Sequence, residues 1–229
     1  MKPRRIATWT VEPPIKYFCF DIGNVLLNYD MDLFHQRVAD LTRQPLKDVK
    51  EVSMVGARPY WHRFEIGKIL PYHFYRYYCE ALKNLVGLLA WSELRVKFSY
   101  AYYRKAFGDT FTLDLNSLNF MRGLKVRGAK IILVSNNNPI HYEYCLRTGP
   151  EIFRLADECL LSHEVGLRKP DPAMWLKAVE LGNFNPWEAM AVDDKSENID
   201  GALQAGMMGH VFTSVPAFRA DLEKLGFEF

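Results

Sequence analysis

The feature that most restricts the fold of this chain is a set of short apolar runs, each ending in a polar residue. Tyr17–Phe20 runs into Asp21, residues 130–135 read Lys-Ile-Ile-Leu-Val-Ser, residues 189–193 read Ala-Met-Ala-Val-Asp, and residues 210–213 read His-Val-Phe-Thr. Runs this short with apolar residues on both faces suit strands covered on both sides, as in a parallel sheet. The intervening stretches carry helical patterning. Leu118, Met121 and Leu124 or Lys125 stand at helical spacing within Leu113–Val126, and Ala173–Leu181 and Glu197–Ala205 are predicted as crossover helices, the second stopped at Gly206. Strand, helix, strand in that order predicts right-handed crossovers and a ligand site beyond the C-terminal ends of the strands. The predicted class is α/β, with a Rossmann-like three-layer core around a parallel sheet.

One long segment, residues 31–111, shows no strand pattern and is predicted to be a small, all-helical inserted domain. Tyr75, Tyr78, Leu82 and Leu85 form one apolar stripe, and Trp91, Leu94, Phe98 and Tyr102 begin another. These rings are expected to pack a helical bundle. The organisation expected is an N-terminal extension over residues 1–16, a core domain over 17–30 and 112–229, and the helical domain between.

Composition narrows the function classes. With 49% hydrophobic and 24% charged residues in 229, the chain is globular and not disordered. A net charge of +2 gives no overall attraction to nucleic acid or anionic membrane, so any anion must be held locally. The longest apolar stretch, Leu85–Trp91, is far short of the roughly 20 residues a membrane span needs. The basic start, Met1–Thr10, lacks the apolar run of about 7 to 15 residues of a secretory signal. Cys19, Cys79, Cys145 and Cys159 form no C-x-x-C pair and fit free thiols in a reducing cytoplasm.

The strand ends deliver polar groups to one edge of the predicted sheet. They are Asp21-Ile-Gly23-Asn24, Ser135-Asn136-Asn137 and Asp193-Asp194, joined by the loop Gly166-Leu-Arg168-Lys169-Pro170. Taken singly, each is an ordinary turn or helix cap. Together they define a chemistry. Asp21 and Asp194 at adjacent strand ends repel by about 4 kcal/mol at about 4 Å for an effective dielectric of about 20, unless cations lie between them. A hard Mg²⁺ ion and the Lys169 ammonium meet that need. Lys169, Ser135 and the backbone N–H groups around Gly23, Asn24 and Asn136 are then predicted to bind a phosphoryl group, which the neutralised Asp21 carboxylate attacks.

These residues resemble the motifs of the haloacid dehalogenase-like (HAD) phosphohydrolases. D-x-x-x-V corresponds to Asp21–Val25, the strand-end serine to Ser135, the lysine to Lys169 within Ser162–Pro172, and the acidic pair to Asp193-Asp194 followed by Asn198. The resemblance spans nearly the whole chain after residue 16. It implies that residues 31–111 are the helical cap of the subgroup whose insert follows the first motif. It also implies an Mg²⁺-dependent phosphatase acting on a small phosphorylated metabolite through an aspartyl-phosphate. In the D-x-G-N-V form the chain looks most like the sugar-phosphate branch that includes α-glucose-1-phosphate phosphatase. Carried over by position, Asp21 is nucleophile and metal ligand, the Gly23 carbonyl and Asp194 are further ligands, Asp193 holds a metal-bound water, and Asn198 orients the acids.

One position departs from the pattern. Family phosphatases usually carry a second Asp, the general acid, where this chain has Gly23. Gly23 leaves open a catalytically weak module that binds a phospho-ligand or a protein. A third reading, a metal-free dehalogenase, is disfavoured by the paired acids. The leaving group is expected to meet the stretch Gly56–Arg63, read as a connection between two cap helices, where Arg58, Trp61, His62 and Arg63 are candidates to read a sugar or a second anion.

Overall fold

The computed structural model describes residues 15–227, apart from the side chains of residues 55, 56 and 58. Its strands are β1 (Tyr17–Phe20), β2 (Leu27–Tyr29), β3 (Phe111–Leu113), β4 (Lys130–Ser135), β5 (Glu158–Leu161), β6 (Ala189–Asp193) and β7 (Met208–Val211). Five of them form one sheet in the order β5-β4-β1-β6-β7, and every neighbouring pair is parallel. The core is the expected α/β, Rossmann-like arrangement.

The apolar runs follow from covering this sheet on both faces. Phe18, Phe20, Ile131, Leu133, Met190 and Val192 share one buried cluster with Leu118, Met121 and Leu124 of helix Leu115–Val126 and Phe218 and Leu222 of helix Val215–Lys224. The alternate residues Cys19, Ile132, Val134, Ala189 and Ala191 share another with Met174, Trp175 and Ala178 of helix Pro172–Gly182 and Ile199 and Ala202 of helix Ser196–Gln204. A period of two along each strand thus feeds two helical layers.

Three elements differ from expectation. β5 is an edge strand with Glu158 exposed and Cys159 half-buried, so it lacks an apolar run. The last strand begins at Met208, two residues before the predicted start, and is likewise an edge strand with no fully buried residue. Leu113 belongs to β3, because Asp114 caps the next helix by accepting from the N–H groups of Asn116 and Ser117.

Between β2 and β3 run α1 (Asp32–Thr42), α2 (Leu46–Glu51) leading into a π-helical turn (Val52–Gly56), α3 (Arg58–Glu65), α4 (Pro71–Val86), α5 (Leu88–Lys97) and α6 (Tyr100–Gly108). They have their own aromatic core, which includes Phe34, Phe64, Phe74, Tyr75, Tyr78, Phe98, Tyr103 and Phe107. The two stripes read from sequence both contribute: Tyr75, Tyr78, Leu82, Leu94 and Phe98 are buried in it, and Leu85, Trp91 and Tyr102 pack against it. β2 and β3 pair antiparallel, Leu27 with Leu113 and Tyr29 with Phe111, so the chain enters and leaves the helical unit side by side.

The expected extension lies outside the described residues as far as residue 14. Ile15 is buried, and the Lys16 N–H donates to the Glu188 carbonyl, so the core has begun by residue 15. All four cysteines are free thiols. Among the described residues no helix is long and apolar enough to cross a membrane.

Candidate active site

Strand register brings the acids together. Phe20 is level with Val192, and the Asp21 N–H donates to the Val192 carbonyl at 2.9 Å. Asp21 and Asp193 therefore leave the sheet side by side. β4, on the other side of β1, ends in Ser135, which is buried against the same edge.

Lys169 lies beneath this edge with no exposed surface. Its Nζ is 3.0 Å from Asp21 Oδ1 and 2.5 Å from Asp193 Oδ2, and 5.6 Å from the centre of the Trp175 ring. Burial works against the ammonium, but the Asp21 and Asp193 carboxylates outweigh it and hold the Lys169 pKa above the ordinary lysine value. Burial is also the main influence on Asp21, whose pKa is pushed up to about 6 with Lys169 pulling against it.

Asp193 is fully committed. Oδ2 accepts from Lys169, and Oδ1 accepts from the Lys195 N–H at 3.0 Å and from Asn198 Nδ2 at 2.8 Å. Asp21 Oδ1 accepts from Lys169 and from the Ile22 N–H at 2.7 Å, and Asp194 Oδ2 accepts from Asn24 Nδ2 at 3.1 Å. Asp21 Oδ2 and Asp194 Oδ1 receive no hydrogen bond among the described residues. The three carboxylates have oxygens within 4.8 Å of one another, and one ammonium bridges two of them, so the cluster has about two negative charges in excess. An all-oxygen donor set with that excess fits a hard divalent cation such as Mg²⁺.

Asp21, Gly23, Asn24, Ser135, Asn136, Asp194 and Asn198 line one cavity of about 150 Å³. One of them acts differently from expectation. Asn24 was expected to offer a backbone N–H to phosphate, but that N–H donates to the Leu27 carbonyl. Its backbone takes the left-handed conformation (φ 57°) that Asn tolerates, and its side chain holds Asp194 while accepting from the Tyr29 N–H. The Asn136 side chain clamps the Lys169 backbone, accepting from its N–H and donating to its carbonyl, both at 2.8 Å.

The stretch read as a connection is instead helix α3, and helical geometry sorts its side chains. Trp61 lines the cavity, whereas Arg63 is exposed away from it. His62 is exposed, and its Nε2 lies 3.2 Å from Arg168 Nη1. The Arg58 side chain lies outside the described residues. Glu65, one turn after Trp61, also lines the cavity and was not anticipated, nor were Tyr29 and His141. His141 is buried, with Nε2 3.1 Å from the Phe107 carbonyl, and burial depresses its pKa to about 3. The ring is therefore neutral, with Nε2–H donating to that carbonyl.

A family model for the haloacid dehalogenase-like hydrolases matches residues 15–206. The chain belongs to this family. Among curated HAD-like relatives, a sesquiterpene phosphatase of Aspergillus oryzae is 28% identical over 214 residues, covering 90% of this chain and 94% of that one. A D-ribitol-5-phosphate phosphatase of Bacteroides thetaiotaomicron is 23% identical over 198 residues, covering 84% and 89%. Among solved structures, a HAD family enzyme of Bacteroides thetaiotaomicron in complex with magnesium and inorganic phosphate superposes with a TM-score of 0.71 at 21% identity, covering 88% of this chain and 96% of that one. The L-2-haloacid dehalogenase of Xanthobacter autotrophicus superposes with a TM-score of 0.58 at 16% identity, covering 92% and 83%, so this fold is shared with dehalogenases as well.

Proposed function

We propose that this HAD-like hydrolase is an Mg²⁺-dependent phosphomonoesterase that acts on a small phosphorylated metabolite through an aspartyl-phosphate on Asp21. The observation that carries the reading is the charge arrangement at the strand ends. Asp21 keeps Oδ2 open, while Lys169 holds Oδ1 and ties Asp21 to the buried Asp193.

The open oxygen of Asp194 and the Gly23 carbonyl, with the Asp21 carboxylate through the oxygen that does not attack, would hold the metal; Asp193, its oxygens already bonded, would contribute through water. Bound there, Mg²⁺ would offset the repulsion between phosphate and carboxylates and stabilise charge developing on the phosphoryl oxygens. Asp21 Oδ2 attacks phosphorus, the ester P–O bond breaks, and the leaving alkoxide takes a proton from solvent because Gly23 has none to give. Water then attacks phosphorus, which releases inorganic phosphate and restores the Asp21 carboxylate. Lys169, with a third N–H donor beyond the two given to Asp21 and Asp193, and the Ser135 hydroxyl steady the phosphoryl oxygens. The Asn198 amide and the Lys195 N–H keep Asp193 turned toward Lys169. The helical unit, seated over this edge, serves as a cap.

The curated relatives named as phosphatases support the reaction class. Against a metal-free dehalogenase stands the uncompensated charge of three clustered acids. The test is phosphate release from a panel of phosphomonoesters. Turnover is expected with magnesium and is expected to be lost in EDTA and in Asp21→Asn. A protein that binds magnesium and phosphate but turns over no ester would instead be the non-catalytic module that Gly23 leaves open.

A further inference from the structure

Because Gly23 presents no polar side chain to the leaving group, recognition falls to the facing wall of the cavity. There α3 contributes Trp61 and Glu65, and the loop that carries Lys169 contributes Arg168. Glu65 is only 8% exposed, which is unusual for an acid at the end of a short helix. Its position is built from across the fold. Ser162 Oγ donates to the Glu65 carbonyl at 2.6 Å, and Glu65 Oε2 is sealed from solvent, ion-paired with Arg168 Nη2 at 3.0 Å but without a hydrogen bond. Oε1 likewise receives no hydrogen bond among the described residues but is not sealed, and Glu65 lines the cavity, which is where an open Oε1 can meet a ligand.

A buried carboxylate is an acceptor only, and leaving its free oxygen against an apolar ligand costs the desolvation of that oxygen. A second anion there would be repelled. A hydroxyl on the leaving group satisfies it. The cavity, at about 150 Å³, is below the roughly 300 to 1,000 Å³ of sites that take drug-sized ligands. Resting on the phosphatase reading, we propose that Glu65 is the specificity residue of this site. Its open oxygen accepts a hydrogen bond from a leaving-group hydroxyl, with Arg168 holding the carboxylate in place, so that phosphate esters of small polyhydroxy alcohols are preferred over esters of apolar alcohols or of alcohols with a second anionic group.

The experiment compares kcat/KM, with magnesium, for a five-carbon polyol phosphate and the alkyl phosphate of the same chain length, in wild type, Glu65→Gln and Arg168→Gln. Wild type is expected to favour the polyol ester by about ten- to a hundredfold, the range for a hydrogen bond to a charged group. Both variants are expected to lose most of that ratio, Glu65→Gln by removing the charge and Arg168→Gln by freeing Oε2. A flat ratio in wild type, or an unchanged ratio in either soluble variant, overturns the proposal. So does an equal fall in both rates, the mark of a merely loosened α3. p-Nitrophenyl phosphate separates this from the underlying reading: if wild type does not hydrolyse it, the phosphatase reading fails, whereas its turnover beside a flat polyol-to-alkyl ratio removes only the role of Glu65.

Discussion

In the proposed phosphatase, Lys169 serves stability and chemistry together. It is fully buried and shares its ammonium between Asp21 and Asp193. Lys169→Met leaves Asp193 as a buried charge without its counter-ion and is expected to cost about 3 to 5 kcal/mol in urea unfolding, alongside the loss of turnover. A cost near zero would mean that Asp193 is solvated or protonated in the folded protein. Asp194 makes no such bond, and its one described hydrogen bond comes from Asn24. Asp194→Asn is therefore expected to leave stability within about 1 kcal/mol and to weaken metal affinity, with activity partly restored by raising magnesium. Lack of any restoration would favour Asp193 as the direct ligand. Gly23 stands where the family pattern has an acid, and no steric reason requires glycine there. A Cβ there would meet nothing closer than Tyr29 Cβ at 3.7 Å, an ordinary contact, and the backbone is not left-handed. Gly23→Asp should fold. In wild type the rate is expected to depend steeply on leaving-group pKa, with simple alkyl phosphates slowest. The added carboxyl should raise those slow rates by up to about 10² to 10⁴, the usual contribution of a positioned general acid. A flat dependence in wild type would reveal another proton donor in the site.

Which elements were legible in the sequence depended on how completely they are buried. β1, β4 and β6 are central and covered on both faces, so their runs and terminal polar residues are readable and place Asp21, Ser135 and the acidic pair at one edge. β5 and β7 are sheet edges with exposed or half-buried residues, and the β2–β3 ribbon has three residues in each strand, too few for a pattern. α3 reads as a connection because its Pro59 and the preceding Gly56-Ala57 resemble turn signals, whereas Pro is well placed in the first turn of a helix. His141, in the helix Pro139–Thr148, shows an element anchored through a buried ring. Its pKa is about 3 when folded and 6.5 unfolded. The unfolded chain thus binds the extra proton, so the stability from keeping His141 neutral is present above pH 6.5 and is lost as pH falls toward 3. Between about pH 7 and pH 5 the loss is about 2 kcal/mol. Urea unfolding of His141→Gln is expected to show a pH-dependent fall smaller by that amount. Parallel falls in the two proteins would mean that the folded state accommodates a charged His141.

The molecule as a whole is two hydrophobic assemblies joined by a polar seam, and the seam is the part that sequence patterns did not show. Each assembly follows from local periodicity, whereas the seam depends on pairs far apart in the chain. Ser162 meets the Glu65 carbonyl across 97 residues, and Arg168, visible beside Lys169 in the sequence, gains its meaning only when Glu65 and His62 are found against it. Ile140, from a core helix, completes the aromatic cluster of the helical unit and seats that unit over the strand ends. The result is a cavity whose floor is made by the sheet and whose opposite wall is made by α3. In the proposed reaction, phosphate is handled on the floor and the leaving group is met at the wall. All of this turns on Asp21 forming a covalent bond to phosphorus. The direct test is to mix excess enzyme with a phosphomonoester and magnesium, quench within a turnover with borohydride, and map the product by mass spectrometry. An acyl phosphate at Asp21 is reduced to homoserine at that position, and the account predicts that this appears in wild type and is absent without substrate. Phosphate released at full rate with residue 21 recovered only as unmodified aspartate would contradict it.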